Sequence, residues 1–387
     1  MAVINGTSGT DTLVGTTGAD ELYGFEGNDS LSGGDGNDVL DGGAGADVLN
    51  GGAGTDTVSY ANSTVAVNVN LLTGTGTGGD AQGDTYIGIE RVIGSAFNDT
   101  LTGHSLIHVL EGGAGNDVYV ISNQGATVVE QVGGGDDEVR TQLNNQVLAA
   151  NVERLTFTGT GNFTGTGNAS DNIITGGAGN DILRGGGGAD QFIGGAGTDT
   201  VSYSDSNYEA ITINTKTGVN LGAATGDTYV GIELLGGTLG NDTFISGAAA
   251  DWFDGSTGID TVDYSGSSSA VDVNFLTAKG LGGDAQGDTY SGIERVIGSA
   301  FNDTLTGHSL IHVLEGGAGN DVYVISNQGA TVVEQVGGGD DEVRTQLNNQ
   351  VLAANVERLT FTGTGNFTGT GNASDNIITG GAGNDIL

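Results

Sequence analysis

The most constraining feature of this sequence is a nine-residue repeat near its N-terminus. Six consecutive nonapeptides run from Gly6 to Ser59 without a change of register, each with Gly at position 4, Asp at position 6 and a large aliphatic residue at position 8. One apolar residue between polar neighbours predicts a strand of about three residues with its middle side chain inward, because strand side chains alternate faces. The Gly-rich remainder predicts a turn, since glycine tolerates positive φ.

Two such nonapeptides are sufficient to close one coil of the chain. Successive coils then stack as parallel strands, so that the Asp of repeat n lies beside the Asp of repeat n+2. The sequence therefore predicts two ladders of carboxylates, one on each edge of the stack. Asp11, Asp29 and Asp47 form the first ladder, and Asp20, Asp38 and Asp56 form the second.

Stacked carboxylates repel one another, and the whole chain carries the same imbalance, with a formal net charge of −39. One inward aliphatic residue per nonapeptide offsets little of the conformational entropy lost on ordering nine residues. The chain has no Cys, so neither disulfides nor Cys-ligated metals can stabilise it. Asp oxygens and turn carbonyls are the ligands that Ca²⁺ prefers, and the rigid octahedral geometry of Mg²⁺ suits them less.

The pattern GGxGxDxUx, in which U is a large apolar residue, resembles the RTX or hemolysin-type calcium-binding repeat. The resemblance extends along nearly the whole chain. It implies an all-β fold, a right-handed parallel β-roll continued by β-solenoid rungs, with Ca²⁺ between the turns of repeats n and n+2. The position-6 aspartates are then the predicted ligands: Asp11, Asp20, Asp29, Asp38, Asp47, Asp56, Asp99, Asp117, Asp181, Asp190, Asp199, Asp242, Asp251, Asp260, Asp303, Asp321 and Asp385.

Repeat blocks alternate with two types of insert, of 34 and 46 residues, which we interpret as additional solenoid rungs. If a block of N repeats holds about N minus 2 ions, the chain binds roughly nine calcium ions. The predicted repeat blocks are 1–59, 94–120, 167–202, 237–263, 298–324 and the truncated 371–387, and the inserts are 60–93, 121–166, 203–236, 264–297 and 325–370.

Some repeats depart from the pattern. His108 and His312 occupy the Asp position, as do Asn172 and Asn376, and such sites are expected to bind calcium weakly or not at all. Residues 282–387 repeat residues 78–183 at an offset of 204, with Ile87 against Ser291 as the one difference, which indicates a tandem duplication. The sequence stops inside a nonapeptide and would leave an uncapped edge, so we expect that it is either a fragment or covers this edge by end-to-end self-association.

The composition and the motifs exclude several functions. The negative charge disfavours nucleic acid, and the sequence predicts no membrane insertion. No nucleophile–base pair is recognisable, and we interpret Glu90 and the run Asp136–Glu138 as solvated or calcium-proximal carboxylates, so the chain is not expected to be an enzyme. His104 and His108 have the spacing of a helical zinc site, but turn and strand surroundings separate them.

The resemblance implies type I secretion from bacteria and an extracellular location. The favoured function is calcium-induced folding of a structural or adhesive protein that associates with a cell surface or matrix. Alternatively, the chain is the non-catalytic calcium-binding module of a larger secreted enzyme, such as a protease, lipase or alginate epimerase. A pore-forming toxin would need an amphipathic apolar region, which this sequence lacks.

Overall fold

The computed structural model describes residues 1–105, 107–122, 125–206, 209–309, 311–326 and 329–387. The chain divides into two compact units, unit 1 with residues 1–199 and 229–231, and unit 2 with residues 200–228 and 232–387. Within the described residues, helix is confined to three 3₁₀ segments: Gly79–Ala81, Gly222–Ala224 and Gly283–Ala285. The prediction of an all-β protein is confirmed.

Unit 1 contains strands of three to six residues. They are β1 (Val3–Asn5), β2 (Thr12–Val14), β3 (Glu21–Tyr23), β4 (Ser30–Asp35), β5 (Val39–Asp41), β6 (Val48–Ala53), β7 (Thr57–Ser59), β8 (Asn68–Asn70), β9 (Thr75–Thr77), β10 (Thr85–Ile87), β11 (Arg91–Ile93), β12 (Thr100–Gly103), β13 (Val109–Glu111), β14 (Val118–Ile121), β15 (Thr127–Val129), β16 (Glu138–Thr141), β17 (Asn145–Val147), β18 (Arg154–Phe157), β19 (Thr164–Thr166), β20 (Ile173–Ala178), β21 (Ile182–Arg184), β22 (Gln191–Ala196) and most of β25 (Thr228–Val230).

Unit 2 has strands of three or four residues. They are β23 (Thr200–Ser202), β24 (Thr212–Asn214), β26 (Leu234–Gly236), β27 (Thr243–Ile245), β28 (Trp252–Asp254), β29 (Thr261–Asp263), β30 (Asp272–Asn274), β31 (Lys279–Leu281), β32 (Thr289–Ser291), β33 (Arg295–Ile297), β34 (Thr304–Gly307), β35 (Val313–Glu315), β36 (Val322–Ile325), β37 (Thr331–Val333), β38 (Glu342–Thr345), β39 (Asn349–Val351), β40 (Arg358–Phe361), β41 (Thr368–Thr370) and β42 (Ile377–Thr379).

Alternate strands of the N-terminal repeats belong to different sheets. In unit 1, β1-β3-β5-β7 are consecutive neighbours in one sheet and β2-β4-β6 in the other, and all these pairs are parallel. The register places Leu13 opposite Leu31 and Leu31 opposite Leu49, a spacing of two nonapeptides. Each coil therefore contains two nonapeptides, and the predicted parallel β-solenoid is confirmed.

The position-8 side chains form the core of these coils. Leu22 and Leu40 stack in one sheet and Leu31 and Leu49 in the other, and all four are fully buried. Their strand neighbours alternate outward, as in the burial of β5, where only the middle residue of three is inaccessible. The core of these coils is consequently a narrow column with one aliphatic residue per half coil.

The 34-residue inserts depart from purely parallel stacking. In the first of them, β9 pairs antiparallel with both β8 and β10, while β10 stacks in parallel on β6 and β8 stacks in parallel on β12. Unit 2 repeats this arrangement with β31 between β30 and β32. This antiparallel strand, which was not predicted from the sequence, widens the sheet by one hairpin between two repeat blocks.

The 46-residue inserts instead continue the parallel stack with longer strands. β14, β16, β18 and β20 are consecutive parallel neighbours, and the first three have four residues each. A second inward residue in these strands, such as Ile121 or Phe157, is buried and enlarges the core. Paired residues are 20 positions apart in sequence between β14 and β16, and 16 positions apart between β16 and β18. These coils therefore differ in length from the 18-residue coils of the N-terminal repeats.

Because the core is a single column, we expect Leu40→Ala to cost about 2–5 kcal/mol of unfolding free energy. Leu72→Ala, at a side chain that is half exposed in the same unit, is the matched control and should change stability by less than about 1 kcal/mol. Urea unfolding at saturating calcium, followed by far-UV circular dichroism, measures both. Equal losses in the two variants would contradict the column of buried side chains.

Candidate metal centres

One hydrogen bond recurs along both edges of the repeat coils. The backbone N–H of one position-6 Asp donates to Oδ1 of the Asp one coil later, as from Asp11 to Asp29 at 2.7 Å and from Asp20 to Asp38 at 2.8 Å. The same bond joins Asp29 to Asp47 and Asp38 to Asp56. The structure thus brings together both ladders in the composition that the repeat spacing predicts.

The second oxygen of many of these carboxylates has no partner. Oδ2 of Asp38 is inaccessible to solvent and accepts no hydrogen bond from any described group, although a buried carboxylate oxygen normally accepts at least one. The aspartates with this buried, partnerless Oδ2 are Asp29, Asp38, Asp47, Asp56, Asp117, Asp137, Asp181, Asp260, Asp321 and Asp341. They are the strongest candidates for ligands of a cation.

The backbone conformation at position 2 of the turn, four residues before the Asp, determines whether Oδ2 of that Asp has a hydrogen-bond partner. Position 2 has positive φ in every turn with a partnerless Oδ2, for example +104° at Gly34 and +103° at Gly52. Phe25 and Ser256, with φ of +74° and +70°, show that the conformation rather than the glycine itself is required. We call these open turns. Gly186 and Gly195, before Asp190 and Asp199, have the same conformation.

Closed turns have Ser or Thr at position 2 without positive φ. Thr16 donates its backbone N–H to Asp20 Oδ2 at 2.5 Å and its hydroxyl to the same oxygen at 2.7 Å. The Thr16 N–H accordingly holds the pKa of Asp20 below its ordinary value. The other closed turns are those of Asp11, Asp99, Asp242 and Asp303, which are capped by Thr7, Ser95, Thr238 and Ser299.

The position-1 glycine leaves space beside the open carboxylate. A Cβ placed on Gly33 would lie 2.6 Å from the carbonyl oxygen of Gly51 in the next coil and would collide with Asp38 Oδ2. Gly176 has the same relation to Asp181 and to the carbonyl of Gly194, at 2.8 Å. A carboxylate oxygen and a carbonyl oxygen therefore border one space that only glycine leaves free, and this donor set fits a hard cation such as Ca²⁺.

Burial of these carboxylates disfavours their charged form. Desolvation raises the pKa of Asp47 to about 6, and the charges of Asp29 and Asp41 act in the same direction. Desolvation also raises the pKa of Asp260 to about 7, with the charges of Asp242 and Glu294 adding to the shift. A bound cation would remove this penalty by favouring the ionised carboxylates.

The repeats that lack Asp are satisfied without a cation. Asn172 accepts a hydrogen bond from the N–H of Asn168 at 2.7 Å, and its Nδ2 donates to the carbonyl of Val152 at 3.0 Å. His108, which is buried, accepts from the N–H of His104 at 3.3 Å through Nδ1. Burial lowers the pKa of His108, which favours the neutral form of the ring. These contacts support the expectation that such turns bind calcium weakly or not at all.

Two further predicted ligands differ from both kinds of turn. Asp251 Oδ2 accepts the hydroxyl of Thr215 at 3.0 Å, and Asp385 Oδ1 accepts the N–H of Phe367 at 3.0 Å. Their carboxylates are only partly buried, in contrast to the fully buried Asp38. As calcium ligands, they stay predictions.

Several carboxylates that continue the ladders were not assigned to them from the sequence. Asp84 Oδ1 accepts the N–H of Asp47 at 2.9 Å, while its Oδ2 accepts the buried hydroxyl of Tyr60 at 2.6 Å. Glu90 accepts the N–H of Asp56 at 2.9 Å, and Asp137 accepts that of Asp117 at 2.8 Å. All three lie two residues before an inward-facing apolar side chain, the same spacing as in the nonapeptide, and this was the available signal.

The geometry defines a class of protein, a β-solenoid whose stacked turns present carboxylates and carbonyls to cations. A family model for the RTX calcium-binding nonapeptide repeat matches residues 5–40, 23–58, 84–105, 166–201, 229–262, 288–309 and 361–387, together about half of the chain. This protein belongs to the RTX calcium-binding repeat family, and it carries repeats that bind calcium.

A curated relative is similar to one part of the chain. Endo-1,3-1,4-beta-glycanase ExsH of Rhizobium meliloti (strain 1021) is 39% identical over 125 residues, which cover 32% of this chain and 23% of the relative. The similarity therefore spans less than a quarter of that protein. Among the described residues, no helix has the length and apolar character needed to cross a membrane.

The raised pKa values predict how the calcium-free protein responds to pH. Asp47, Asp84 and Asp260 have folded-state pKa values of about 6, 7 and 7, above the value near 4 of an unfolded Asp. Between these values the folded state binds more protons, so this contribution to stability is complete below about pH 4 and is lost as the pH rises through 6 and 7.

We therefore expect the β-structure that remains in chelator to decrease between pH 5 and pH 8, as measured by far-UV circular dichroism. In saturating calcium, where the cation balances the ionised carboxylates, this decrease should disappear. An increase of β-structure in chelator over the same pH range would contradict the buried, cation-free carboxylates described above.

Proposed function

We propose that this chain binds calcium through the Oδ2 atoms of its open turns and that calcium binding drives its folding outside the cell. The observation that supports this most directly is the set of buried, partnerless Oδ2 atoms, most of which lie beside a space that only glycine leaves free. Burying unpaired carboxylates is strongly unfavourable unless a cation balances them. In this proposal the folded state is the calcium-bound state.

In this proposal calcium binds at only some of the predicted aspartates, and also at Asp137 and Asp341, which were not predicted. Open-turn aspartates hold the ions, together with Asp190 and Asp199, whose turns have the same backbone conformation. In the closed turns the local Ser or Thr already donates to the carboxylate, so we infer that these carboxylates serve as structural caps. The division of the chain into blocks and inserts and the number of about nine ions stay predictions.

Calcium-dependent folding would couple the structure to its location. RTX repeat proteins are typically secreted, and extracellular calcium modules have dissociation constants of roughly 10⁻⁴ to 10⁻³ M. At free calcium ten times that constant, each site adds about 1.4 kcal/mol to the stability of the folded state. A chain with a net charge of −39 would stay unfolded where calcium is scarce and fold where it is abundant. Its role there would be structural or adhesive, at a cell surface or in a matrix.

A second candidate function is that of a calcium-binding module within a larger secreted enzyme. The partial similarity to the ExsH glycanase supports it, because a relative with a catalytic name shares 125 residues with this chain. Within the stack the ladder aspartates donate through their backbone N–H groups and accept through their carboxylates, and the proposal assigns them no catalytic step. Catalysis in such an enzyme would come from residues outside these repeats.

Calcium titration of chelator-treated protein tests the proposed function. Far-UV circular dichroism should show a cooperative transition from coil to β-structure at sub-millimolar to millimolar calcium, because the carboxylates cannot be buried together without the cation. Magnesium, which keeps its water and demands octahedral geometry, should produce no transition at the same concentrations. Unchanged β-structure in chelator would overturn the proposal.

The distinction between open and closed turns predicts different results for two conservative variants of unit 1. Asp38→Asn keeps the oxygen that accepts the N–H of Asp20 but replaces the free Oδ2, so the chain should bind at least one calcium ion fewer. Asp11→Asn is the matched control, since Asn172 shows that an amide oxygen can accept the position-2 N–H. Equilibrium dialysis counts the bound ions. If Asp11→Asn lost as many as Asp38→Asn, the assignment to open turns would be wrong.

A further inference from the structure

Three buried carboxylates converge where a repeat block of unit 1 meets its 46-residue insert. One oxygen from each of Asp117, Glu130 and Asp137 lies within 4.8 Å of the other two. Their exposed fractions are 1%, 8% and 0%. Unlike the open turns of the N-terminal block, this cluster includes a carboxylate that does not belong to the ladder, because Glu130 comes from the segment that follows β15.

Each of the two ladder members of this cluster has one carboxylate oxygen without a hydrogen-bond partner. Oδ1 of Asp117 accepts the N–H of Asp99 at 2.7 Å, and Oδ1 of Asp137 accepts the N–H of Asp117 at 2.8 Å. Oδ2 of both residues is buried and accepts no hydrogen bond from the described residues. These atoms are independent evidence for a ligand, because neither is satisfied by the contacts that build the turn.

Glu130 is held in place by hydrogen bonds to both of its carboxylate oxygens. Its Oε1 accepts the hydroxyl of Tyr119, whose oxygen in turn accepts the N–H of Gly112 at 2.7 Å. Its Oε2 accepts the N–H of Gln131 at 3.0 Å. The backbone carbonyl of Glu130 accepts the side-chain amide of Asn151 at 3.1 Å, which fixes the loop that carries it.

The described basic side chains do not neutralise the cluster. Arg91 pairs with Glu111, and Arg140 pairs with Glu138 at 2.7 Å. Arg154 lies 3.9 Å from Asp136, an exposed carboxylate of the same loop. Three carboxylates at such separations repel each other strongly in a buried site, so they call for a cation at their centre.

Unit 2 contains the same arrangement. Asp321, Glu334 and Asp341 are equally buried, and one oxygen from each lies within 4.8 Å of the other two. Oδ2 of Asp321 and of Asp341 has no partner among the described residues, and Tyr323 donates its hydroxyl to Glu334. The duplicated segment therefore supplies each unit with one such cluster.

We propose that each unit has one high-affinity calcium site, formed by Asp117, Glu130 and Asp137 in unit 1 and by Asp321, Glu334 and Asp341 in unit 2. The inference rests on the proposed function and ranks the calcium sites by their affinity. Calcium affinity rises with the number of charged ligands and with the rigidity of the site, and these two sites have a third carboxylate that is fixed by a buried tyrosine. They fill first as calcium rises, before the remaining open turns.

Competition between the full-length chain and a fluorescent calcium chelator tests this ranking. The wild-type chain should show two sites per chain that bind calcium at least about tenfold more tightly than the rest. Glu130→Gln with Glu334→Gln should abolish this tight class, and Glu130→Gln alone should remove one of the two sites. The control Asp136→Asn with Asp340→Asn removes exposed charges from the same loops and should keep both.

The outcomes separate this inference from the proposed function. If the tight class survives Glu130→Gln with Glu334→Gln, or if all sites bind with equal affinity, the inference is wrong while calcium binding stands. If neither the wild-type chain nor any variant binds calcium, the proposed function itself fails. Circular dichroism at saturating calcium checks that each variant has folded.

Terbium luminescence provides a second measurement that does not need the glutamine variants to fold. Tb³⁺ replaces Ca²⁺ at oxygen sites and emits when a nearby tyrosine is excited. The first two equivalents of Tb³⁺ should give most of the emission, since Tyr119 and Tyr323 contact the clusters. Tyr119→Phe with Tyr323→Phe should reduce that early emission at least about fivefold. Undiminished emission in this variant would overturn the assignment.

Discussion

The fold depends on the hydrogen bond from the backbone N–H of one aspartate to Oδ1 of the aspartate one coil later. It fixes the register of the stack, because Asp11, Asp29 and Asp47 can be joined in this way only when coils contain 18 residues. It also determines which oxygen can bind a cation. One oxygen of each carboxylate accepts the hydrogen bond between coils, and the other lies beside the carbonyls of the neighbouring turn. Stacking and cation binding are thus consequences of one arrangement.

The backbone at position 2 decides what happens to that second oxygen. A residue with negative φ points its N–H at the carboxylate and closes the turn, as Thr16 does toward Asp20. A residue with positive φ turns this N–H away, and glycine adopts that conformation at the lowest cost. Phe25 and Ser256 adopt it at a steric cost, and in both cases the Oδ2 that follows is free. The second Gly of the GG pair, at position 2, therefore indicates a turn that can bind a metal, which the aspartate alone does not indicate.

Much of the fold could be predicted from the sequence because the period of nine exposes it directly. The inward position 8, the two-nonapeptide coil and the composition of both ladders follow from side-chain alternation and parallel stacking. The antiparallel strand β9 could not be predicted, since Thr75–Thr77 has neither a repeat nor an alternating apolar pattern. Glu130 was also hidden, because its approach to Asp117 depends on where an irregular loop places it in space.

The positions of the closed turns suggest how a calcium-dependent stack can begin. The first turn after each insert is closed or carries Asn, and the upstream donor to Asp99 or Asp242 is a backbone N–H of the insert, from Val67 or Ile211. Such a turn has no carboxylate one coil earlier, so a cation there would lack half of its charged ligands, and a Ser or Thr cap satisfies the oxygen instead. The turn one coil after such a closed turn has an acidic neighbour and is open, as Asp117 is after Asp99 and Asp260 after Asp242. Each closed turn can then form without calcium and supply the edge on which the first calcium-dependent coil is laid.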